Sequence, residues 1–223
     1  MNAREFSLAI GHIFTDPDLL QRALTHRSYG AANNERLEYL GDSVLNLAIA
    51  LELYYKFPQL SEGDLSRLRA NLVSRESLAA TGSRCRIGSH LRLGEGELKS
   101  GGLRRPSIIA DAVEAVIGAV FLDGGFEGAR AVVRNLFGPM LDTIDPHTTG
   151  KDPKTLLQEH LQSRRMALPQ YRVVTTLGEA HRQLFRVECL VPELGIRCLG
   201  EGASRRSAEQ QAARQAYELA SAE

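Results

Sequence analysis

The stretch NERLEYLGDSVLNLAIAL, residues 34–51, sets three carboxylates among apolar residues. Its apolar positions recur at helical spacing, at Leu37, Leu40, Val44, Leu47 and Leu51. Because the second half is apolar almost all round, we predict a central helix of a bundle rather than a solvated one. The acids are Glu35, Glu38 and Asp42, and carboxylates resist burial unless a cation pairs with them. The stretch therefore predicts a cation partner.

A second apolar helix is predicted for IIADAVEAVIGAVFLDGG, residues 108–125, where Gly118 keeps the acid-bearing face small. Side chains three or four residues apart share a helix face, so two such helices packed together would gather both acid pairs. The four acids are Glu38, Asp42, Asp111 and Glu114. A hard divalent cation with oxygen ligands can hold such a cluster together. Mg²⁺ fits because it takes few protein ligands and keeps its other coordination positions for water and substrate phosphates. The alternative, in which each acid caps a helix, pairs with an arginine or lies in solvent, stays open here.

The pattern along the chain predicts two domains, mostly α. Residues 1–143 read as an all-helical domain, with the glycine-rich segment 94–106 as a loop. The stretch DTIDPHTTGKDP, residues 142–153, has no periodicity, so we place a linker at 144–152 and expect the second unit to be mobile. Residues 153–223 read as helix, three alternating strands and helix, a small α+β domain of order α-β-β-β-α.

Composition narrows the class of protein. The chain has 223 residues, 43% of them apolar, enough for one large or two modest packed domains. It has no run of 18 apolar residues and no signal-peptide order in its first twenty, so we expect a cytoplasmic protein without a membrane segment. Its three cysteines form no C-x-x-C pair, which argues against a disulfide framework or a zinc site. The net charge is zero, so nucleic-acid binding would need a local patch.

The motif NERLEYLGDSVLN, residues 34–46, resembles the signature of the ribonuclease III family. The segments ALTHRSY (23–29) and DAVEAVIGAVFLDGG (111–125) stand in the order and approximate spacing of that family, and the second unit resembles a double-stranded RNA-binding domain. The resemblance implies a homodimeric endoribonuclease that uses Mg²⁺, with Mn²⁺ as a substitute, to hydrolyse both strands of double-stranded RNA. The implied products carry 5′-phosphate and 3′-hydroxyl ends with short 3′ overhangs. The implied role is processing of ribosomal and messenger RNA precursors.

The resemblance also implies roles for individual residues. It assigns the metal site to the four acids already selected, Glu38, Asp42, Asp111 and Glu114, with Asp42 and Glu114 as the catalytic pair. It gives Glu35 and Glu62 auxiliary acidic roles, although Glu62 also lies in the sequence Ser61-Glu62-Gly63-Asp64, which resembles a helix capping box. It places Tyr39 in the dimer interface, where the family commonly has phenylalanine.

The second unit carries the candidate RNA contacts. Arg205 and Arg206 stand in the first turn of a predicted helix that starts near Ser204. Cations are unfavourable at a helix N-terminus, and a phosphate bound by the Ser204 hydroxyl, the exposed backbone amides and the two guanidinia would compensate them. Polar side chains on the first helix could read 2′-hydroxyls, and the resemblance adds a histidine in a turn between strands. These candidates are Thr155, Gln158, Glu159, Gln162 and His181.

Two other function classes remain at this point. The chain could be a duplex-RNA binder whose helical domain only dimerises, although repulsive acids on apolar helices speak against a pure scaffold. A di-metal oxidoreductase bundle would need Glu-x-x-His, and neither Glu38 nor Asp111 is followed by such a histidine.

Overall fold

The computed structural model describes residues 3–178 and 183–222. The chain divides into two compact units, Met1–Thr149 and Gly150–Glu223, and the division falls inside the segment predicted as a linker. The helical first unit and the α-β-β-β-α second unit confirm the predicted fold class. None of the described helices is both long and apolar enough to cross a membrane. The cytoplasmic location stays a prediction.

The described part of the first unit contains seven α-helices and two short 3₁₀ helices. The α-helices are α1 (Ala3–Ile10), α2 (Pro17–Ala23), α3 (Glu35–Lys56), α4 (Glu62–Leu72), α5 (Arg75–Arg84), α6 (Glu95–Lys99) and α7 (Pro106–Thr143). The prediction that residues 94–106 form a loop is wrong in part, because this segment contains α6 and a 3₁₀ helix at Gly102–Arg104. A glycine with positive φ, Gly125, interrupts α7. Ser61 caps α4 by accepting a hydrogen bond from the Asp64 amide, as the capping box predicts.

Helices α3 and α7 form the centre of this unit, as their apolar sequences predict. Leu45, Ile49 and Leu53 of α3 are completely buried, and so are Ile117 and Val120 of α7. The two backbones approach very closely at a pair of glycines. A Cβ at Gly41 would lie 1.8 Å from the carbonyl oxygen of Glu114, and one at Gly118 would lie 2.2 Å from that of Leu37. Only glycine fits at this crossing, and the crossing sets the distance between the acids of the two helices.

The end of the first unit is tied to its helices. The Arg67 guanidinium of α4 donates to the carbonyl oxygen of Pro146 at 2.8 Å and also contacts that of Thr149. It forms an ion pair with Asp64 at 2.8 Å as well. The first half of the predicted linker therefore packs on α4.

The second unit is a three-stranded antiparallel sheet with two helices. Its elements are α8 (Pro153–Ser163), β1 (Gln170–Leu177), β2 (Leu184–Val191), β3 (Ile196–Gly202) and α9 (Arg205–Ser221), and the strand order is β1-β2-β3. Its core contains Leu157, Leu161, Cys189, Ala212 and Ala216, all fully buried. The alternating residues Val187, Cys189 and Val191 of β2 are buried and form the core face of that strand. All three cysteines are free thiols.

Candidate active site

The crossing of α3 and α7 brings three of the four predicted acids together. Glu38, Asp111 and Glu114 each place a carboxylate oxygen within 4.8 Å of the other two. All three side chains are half-buried, so they stand at the edge of the core and remain open to solvent on one side. In the described part of the chain no other group of His, Cys, Asp or Glu side chains could surround one ion.

The other predicted acids lie around this cluster. Asp42 is exposed and its carboxylate accepts a hydrogen bond from Asn46 at 2.9 Å, so it lies outside the group of three. It is nevertheless close enough to Glu114 to act on its charge. Glu35 forms an ion pair with Arg27 at 3.6 Å. Glu62, in the first turn of α4, accepts a hydrogen bond from Ser66 at 2.8 Å.

The acids disturb one another's protonation. Burial first, and then the negative charges of Asp42, Glu38 and Asp111, raise the pKa of Glu114 to about 7. Burial and the charge of Asp111 raise the pKa of Glu38. Burial also raises the pKa of Asp111, and the Arg75 charge opposes this increase. The cluster therefore holds more negative charge at neutral pH than it can easily accommodate, which is the condition that a bound cation relieves.

The donor atoms suit a hard divalent cation. They are all carboxylate oxygens, with neither the histidine nitrogens nor the thiolates that zinc and iron sites use. Three protein ligands at one open edge leave coordination positions for water and phosphate, as Mg²⁺ sites usually do. Glu38, Asp111 and Glu114 would hold the ion, and Asp42 would add charge beside Glu114.

The raised pKa of Glu114 predicts how stability depends on pH without metal. The unfolded chain ionises Glu114 near pH 4.5 and the folded chain near pH 7, so the folded state binds more protons in this window. The free energy of unfolding should therefore fall as pH rises from 4.5 to 7, by at most about 3 kcal/mol, since one pKa unit corresponds to 1.36 kcal/mol. Solvent at the open edge reduces this value.

Thermal unfolding in EDTA between pH 5 and pH 8 measures this effect. The Glu114→Gln variant should show a flatter pH dependence than the wild type, and millimolar Mg²⁺ should raise the wild-type melting temperature more at pH 8 than at pH 5. Equal slopes for the wild type and the variant would contradict the prediction.

A cavity of about 550 Å³ adjoins the acid cluster. Glu38 and Asp111 line it together with His26, Arg27 and Arg105, so it has acidic and basic walls. His26 and Arg27 belong to the segment ALTHRSY, for which the sequence predicts no contact. Neither these residues nor Gly41 were selected from the sequence, because their role depends on which elements meet here.

The candidate RNA contacts of the first helix of the second unit lie on one face of α8. Gln158, Glu159 and Gln162 are exposed, and Leu157 and Leu161 are buried on the opposite side. Thr155 is half-buried and donates its hydroxyl to Asp152 at 2.9 Å, while Glu159 pairs with Lys151. His181 lies outside the described residues.

The N-terminus of α9 is built as predicted, with one difference. Ser204 caps the helix by accepting a hydrogen bond from the Ser207 amide at 3.1 Å. Arg206 is exposed beside it. Arg205, however, pairs through Nε with Glu209 at 2.8 Å, and Glu209 also pairs with Lys154 at 2.6 Å. Burial would raise the pKa of Glu209, but hydrogen bonds from these two cations lower it. Arg206 is thus the freer of the two predicted phosphate ligands.

Comparison with known proteins agrees with this architecture. A family model described as Ribonuclease-III-like matches residues 16–140, and the double-stranded RNA binding motif matches residues 153–219. The chain is 64% identical over 208 residues to Ribonuclease 3 of Thiobacillus denitrificans, covering 93% of this chain and 92% of that protein. It is 58% identical over 218 residues to Ribonuclease 3 of Cupriavidus taiwanensis, covering 98% and 85%.

A solved structure is similar to the first unit. The crystal structure of the nuclease domain of ribonuclease III from Campylobacter jejuni has a TM-score of 0.62 and 41% identity, and the match covers 65% of this chain and 99% of that one. The resemblance inferred from the sequence motifs is confirmed by all of these matches. The chain belongs to the ribonuclease III family of double-strand-specific endoribonucleases, with a nuclease domain followed by a double-stranded RNA-binding domain.

Proposed function

We propose that this chain is a Mg²⁺-dependent endoribonuclease that hydrolyses both strands of double-stranded RNA. The observation that carries the proposal is the convergence of Glu38, Asp111 and Glu114 within 4.8 Å at the crossing of two central helices. A purely structural domain has no reason to keep three mutually repelling carboxylates there. The match to the double-stranded RNA binding motif supports duplex RNA as the substrate.

Some residues of the site are proposed to bind the cation, and others to orient its neighbours. Glu38, Asp111 and Glu114 hold the cation, for which Mn²⁺ is the expected substitute. The chemistry that a divalent cation supplies in such a site is activation of a water nucleophile and stabilisation of the charge on the departing 3′-oxygen. Asn46 orients Asp42 beside Glu114. Asp42, which lies outside the group of three, is proposed to join them as a fourth metal ligand. Catalytic roles for Asp42 and Glu114 and auxiliary roles for Glu35 and Glu62 are also part of this proposal.

A cleavage assay tests the function directly. The full chain is incubated with long duplex RNA labelled on each strand, in Mg²⁺ and in EDTA, beside a single-stranded RNA of the same length. We expect both strands of the duplex to be cut in Mg²⁺ alone, leaving 5′-phosphate and 3′-hydroxyl ends. A duplex that is shifted on a gel but stays whole in Mg²⁺ would instead identify an RNA-binding protein.

We propose further that the protein is a homodimer assembled through α3. This helix exposes an apolar stripe on one face, where Tyr39 is 80%, Leu47 52% and Tyr54 64% exposed. An apolar stripe on a central helix is typical of an interaction surface. A two-fold dimer presents two equivalent sites, one for each RNA strand, which accounts for a staggered double cut with short 3′ overhangs.

Changing Tyr39 tests the dimer. Tyr39→Asp should weaken dimerisation by about 30-fold or more, since an aromatic anchor in an interface commonly contributes 2 kcal/mol and 1.4 kcal/mol is tenfold. Sedimentation of the full chain over a range of concentrations measures the change. Leu98→Asp, at an exposed position on α6, should leave the assembly unchanged. A wild-type chain that sediments as a monomer at micromolar concentration would contradict the proposal.

The second unit is proposed to bind the RNA through α8 and the N-terminus of α9. A groove at the N-terminus of α9 is lined by Ser204, Arg206, Ser207, Gln210 and Arg214, with Pro153, Gln211 and Glu201 completing the lining. The charge of Glu201 is paired with Arg186. Exposed amides at the helix start, the serine hydroxyls and two guanidinia suit a phosphate of the RNA backbone. Thr155, Gln158, Glu159 and Gln162 of α8, with His181, complete the proposed set.

Arg206→Ala should weaken duplex binding several-fold and reduce the salt slope of the binding constant by about one ion. The loss should be the same for RNAs of different sequence, because phosphate contacts carry no sequence information. Fluorescence anisotropy in EDTA at several salt concentrations measures both quantities. Arg164→Ala removes the same charge from the C-terminal end of α8, away from this groove, and should have the smaller effect. Equal losses of duplex affinity in the two variants would show that binding depends only on net charge and not on the position of Arg206.

Ribosomal and messenger RNA precursors are the proposed cellular substrates, on the strength of family membership. Accumulation of uncut precursors in cells that lack the protein would support this assignment, and their normal maturation would oppose it.

A further inference from the structure

The cavity beside the acid cluster contains a histidine whose orientation is set by its neighbours. His26 lies at the edge of the bundle, immediately after α2, and its backbone amide donates to the carbonyl oxygen of Arg92 at 3.0 Å. The Arg92 amide donates in turn to Leu24 at 2.8 Å, and the Asn34 amide donates to Thr25 at 2.8 Å. The segment around His26 is thereby tied both to residues before α6 and to the start of α3.

The imidazole ring is held through one of its two nitrogens. Nδ1 of His26 accepts a hydrogen bond from the Ser28 backbone amide at 3.2 Å and lies 2.8 Å from the Ser28 hydroxyl oxygen. That hydroxyl oxygen also accepts the Gly94 amide at 3.0 Å, so its own proton is available for Nδ1. Because a backbone amide can only donate, Nδ1 is the acceptor, and the neutral ring carries its proton on Nε2.

The Nε2–H group is the part of the ring that remains available for a ligand. Among the described residues the imidazole has no hydrogen-bond partner other than Ser28. The ring lines the same cavity as Glu38 and Asp111, which places a donor beside the acids proposed to hold the cation. Arg27 and Arg105 line that cavity as well, and each is paired with one glutamate while keeping other N–H groups.

These features together describe a place for a phosphate group. The acid cluster supplies the negative charge that would hold a cation, and the guanidinia of Arg27 and Arg105 supply positive charge in the same cavity. In the same cavity the Nε2–H group of His26, a donor whose direction is set by the hydrogen bond of Nδ1, can bind a phosphate oxygen. Preorganised donors of this type stabilise charge on a reacting group more effectively than mobile ones, because they need no reorganisation.

We propose that Nε2–H of His26 donates a hydrogen bond to a phosphate oxygen of the RNA strand held at the acid cluster. The inference rests on the proposed nuclease function and names a substrate contact outside the carboxylates. It assigns to the ALTHRSY segment a part in positioning the strand, with Ser28 setting the direction of the ring.

Two substitutions at His26 separate this role from a structural one. His26→Gln can place an amide N–H near the position of Nε2 but loses the acceptor for Ser28. His26→Asn keeps an acceptor near Nδ1 but has no group that reaches the position of Nε2. A substrate contact therefore predicts that the glutamine variant stays within about tenfold of wild-type kcat/KM. The asparagine variant should lose about 100-fold, the effect of removing one preorganised donor.

Three control measurements accompany the kinetics on long duplex RNA in Mg²⁺. Thermal unfolding should show both variants folded, and duplex binding in EDTA should be close to wild type, since the second unit provides most of it. Titration with Mn²⁺ in the absence of RNA should give unchanged affinity, because the contact is to the RNA and not to Asp111. Weaker Mn²⁺ binding by the asparagine variant would overturn the proposal in favour of a role in orienting Asp111.

Other outcomes are equally decisive. An active asparagine variant together with an inactive glutamine variant would show that His26 acts only by holding Ser28, and equal losses in both would also overturn the contact. A wild-type chain that binds duplex RNA without cutting it would refute the proposed nuclease function itself, and the inference with it.

Discussion

Glu114→Gln is expected to abolish cleavage of duplex RNA in Mg²⁺ while leaving duplex binding nearly intact. Glu114 is one of three carboxylates that can reach a common ion, and the neutral amide removes its charge from the cluster. Metal-assisted charge stabilisation amounts to several kcal/mol, and each 1.36 kcal/mol is tenfold in rate, so we expect a loss of at least about 10³-fold in kcat. The measurement is single-turnover cleavage at saturating enzyme, with binding measured separately in EDTA.

The same substitution should have the opposite effect on stability. In metal-free buffer at pH 8, Glu114 is an ionised, half-buried side chain among other negative charges. Glutamine relieves that repulsion, so the variant should unfold at the same or a higher temperature than the wild type. Glu127→Gln removes a charge from an 82% exposed side chain of the same helix and should change neither the cleavage rate nor the melting temperature. Turnover by Glu114→Gln within tenfold of the wild type would remove this residue from the catalytic set.

The elements that carry the site could be predicted from local patterns. The helical spacing of α3 and α7 and the acids on each were visible in the sequence, because period and spacing depend only on neighbours along the chain. The three strands of the second unit followed from alternation for the same reason. The short helix α6 was missed, since its glycines suggested a loop and five residues are too few to show a period.

Other features depended on contacts that no local pattern contains. Asp42 lies outside the group of three and accepts a hydrogen bond from Asn46, and Arg205 is paired with Glu209. Both pairs are four residues apart on a helix, so this signal was present in the sequence, although many such pairs are solvated and form no contact. The cavity around His26 could not be predicted, because it requires residues near 26, 34, 97 and 105 to meet in space.

Gly41→Ala is expected to separate the two helices on which the acids stand. Its Cβ would lie 1.8 Å from the carbonyl oxygen of Glu114, and the atom it meets is backbone, which cannot turn away as a side chain does. Overpacking of a core commonly costs 1–3 kcal/mol, and a contact between two backbones belongs at or above the upper end. With 2–4 °C for each kcal/mol in a chain of this size, the melting temperature should fall by about 10 °C.

The loss should extend to the metal site, because the same crossing that excludes a methyl group sets the distance between Glu38 and Glu114. A folded Gly41→Ala protein should bind Mn²⁺ more weakly than the wild type, since carboxylates moved apart by an ångström or more no longer reach one ion. Gly96→Ala, in α6, has open space around the added methyl group and should change neither the melting temperature nor Mn²⁺ affinity. A Gly41→Ala variant with wild-type stability would mean that α3 and α7 do not cross at this glycine. The geometric basis of the site would then have to be revised, even if the acids proved catalytic.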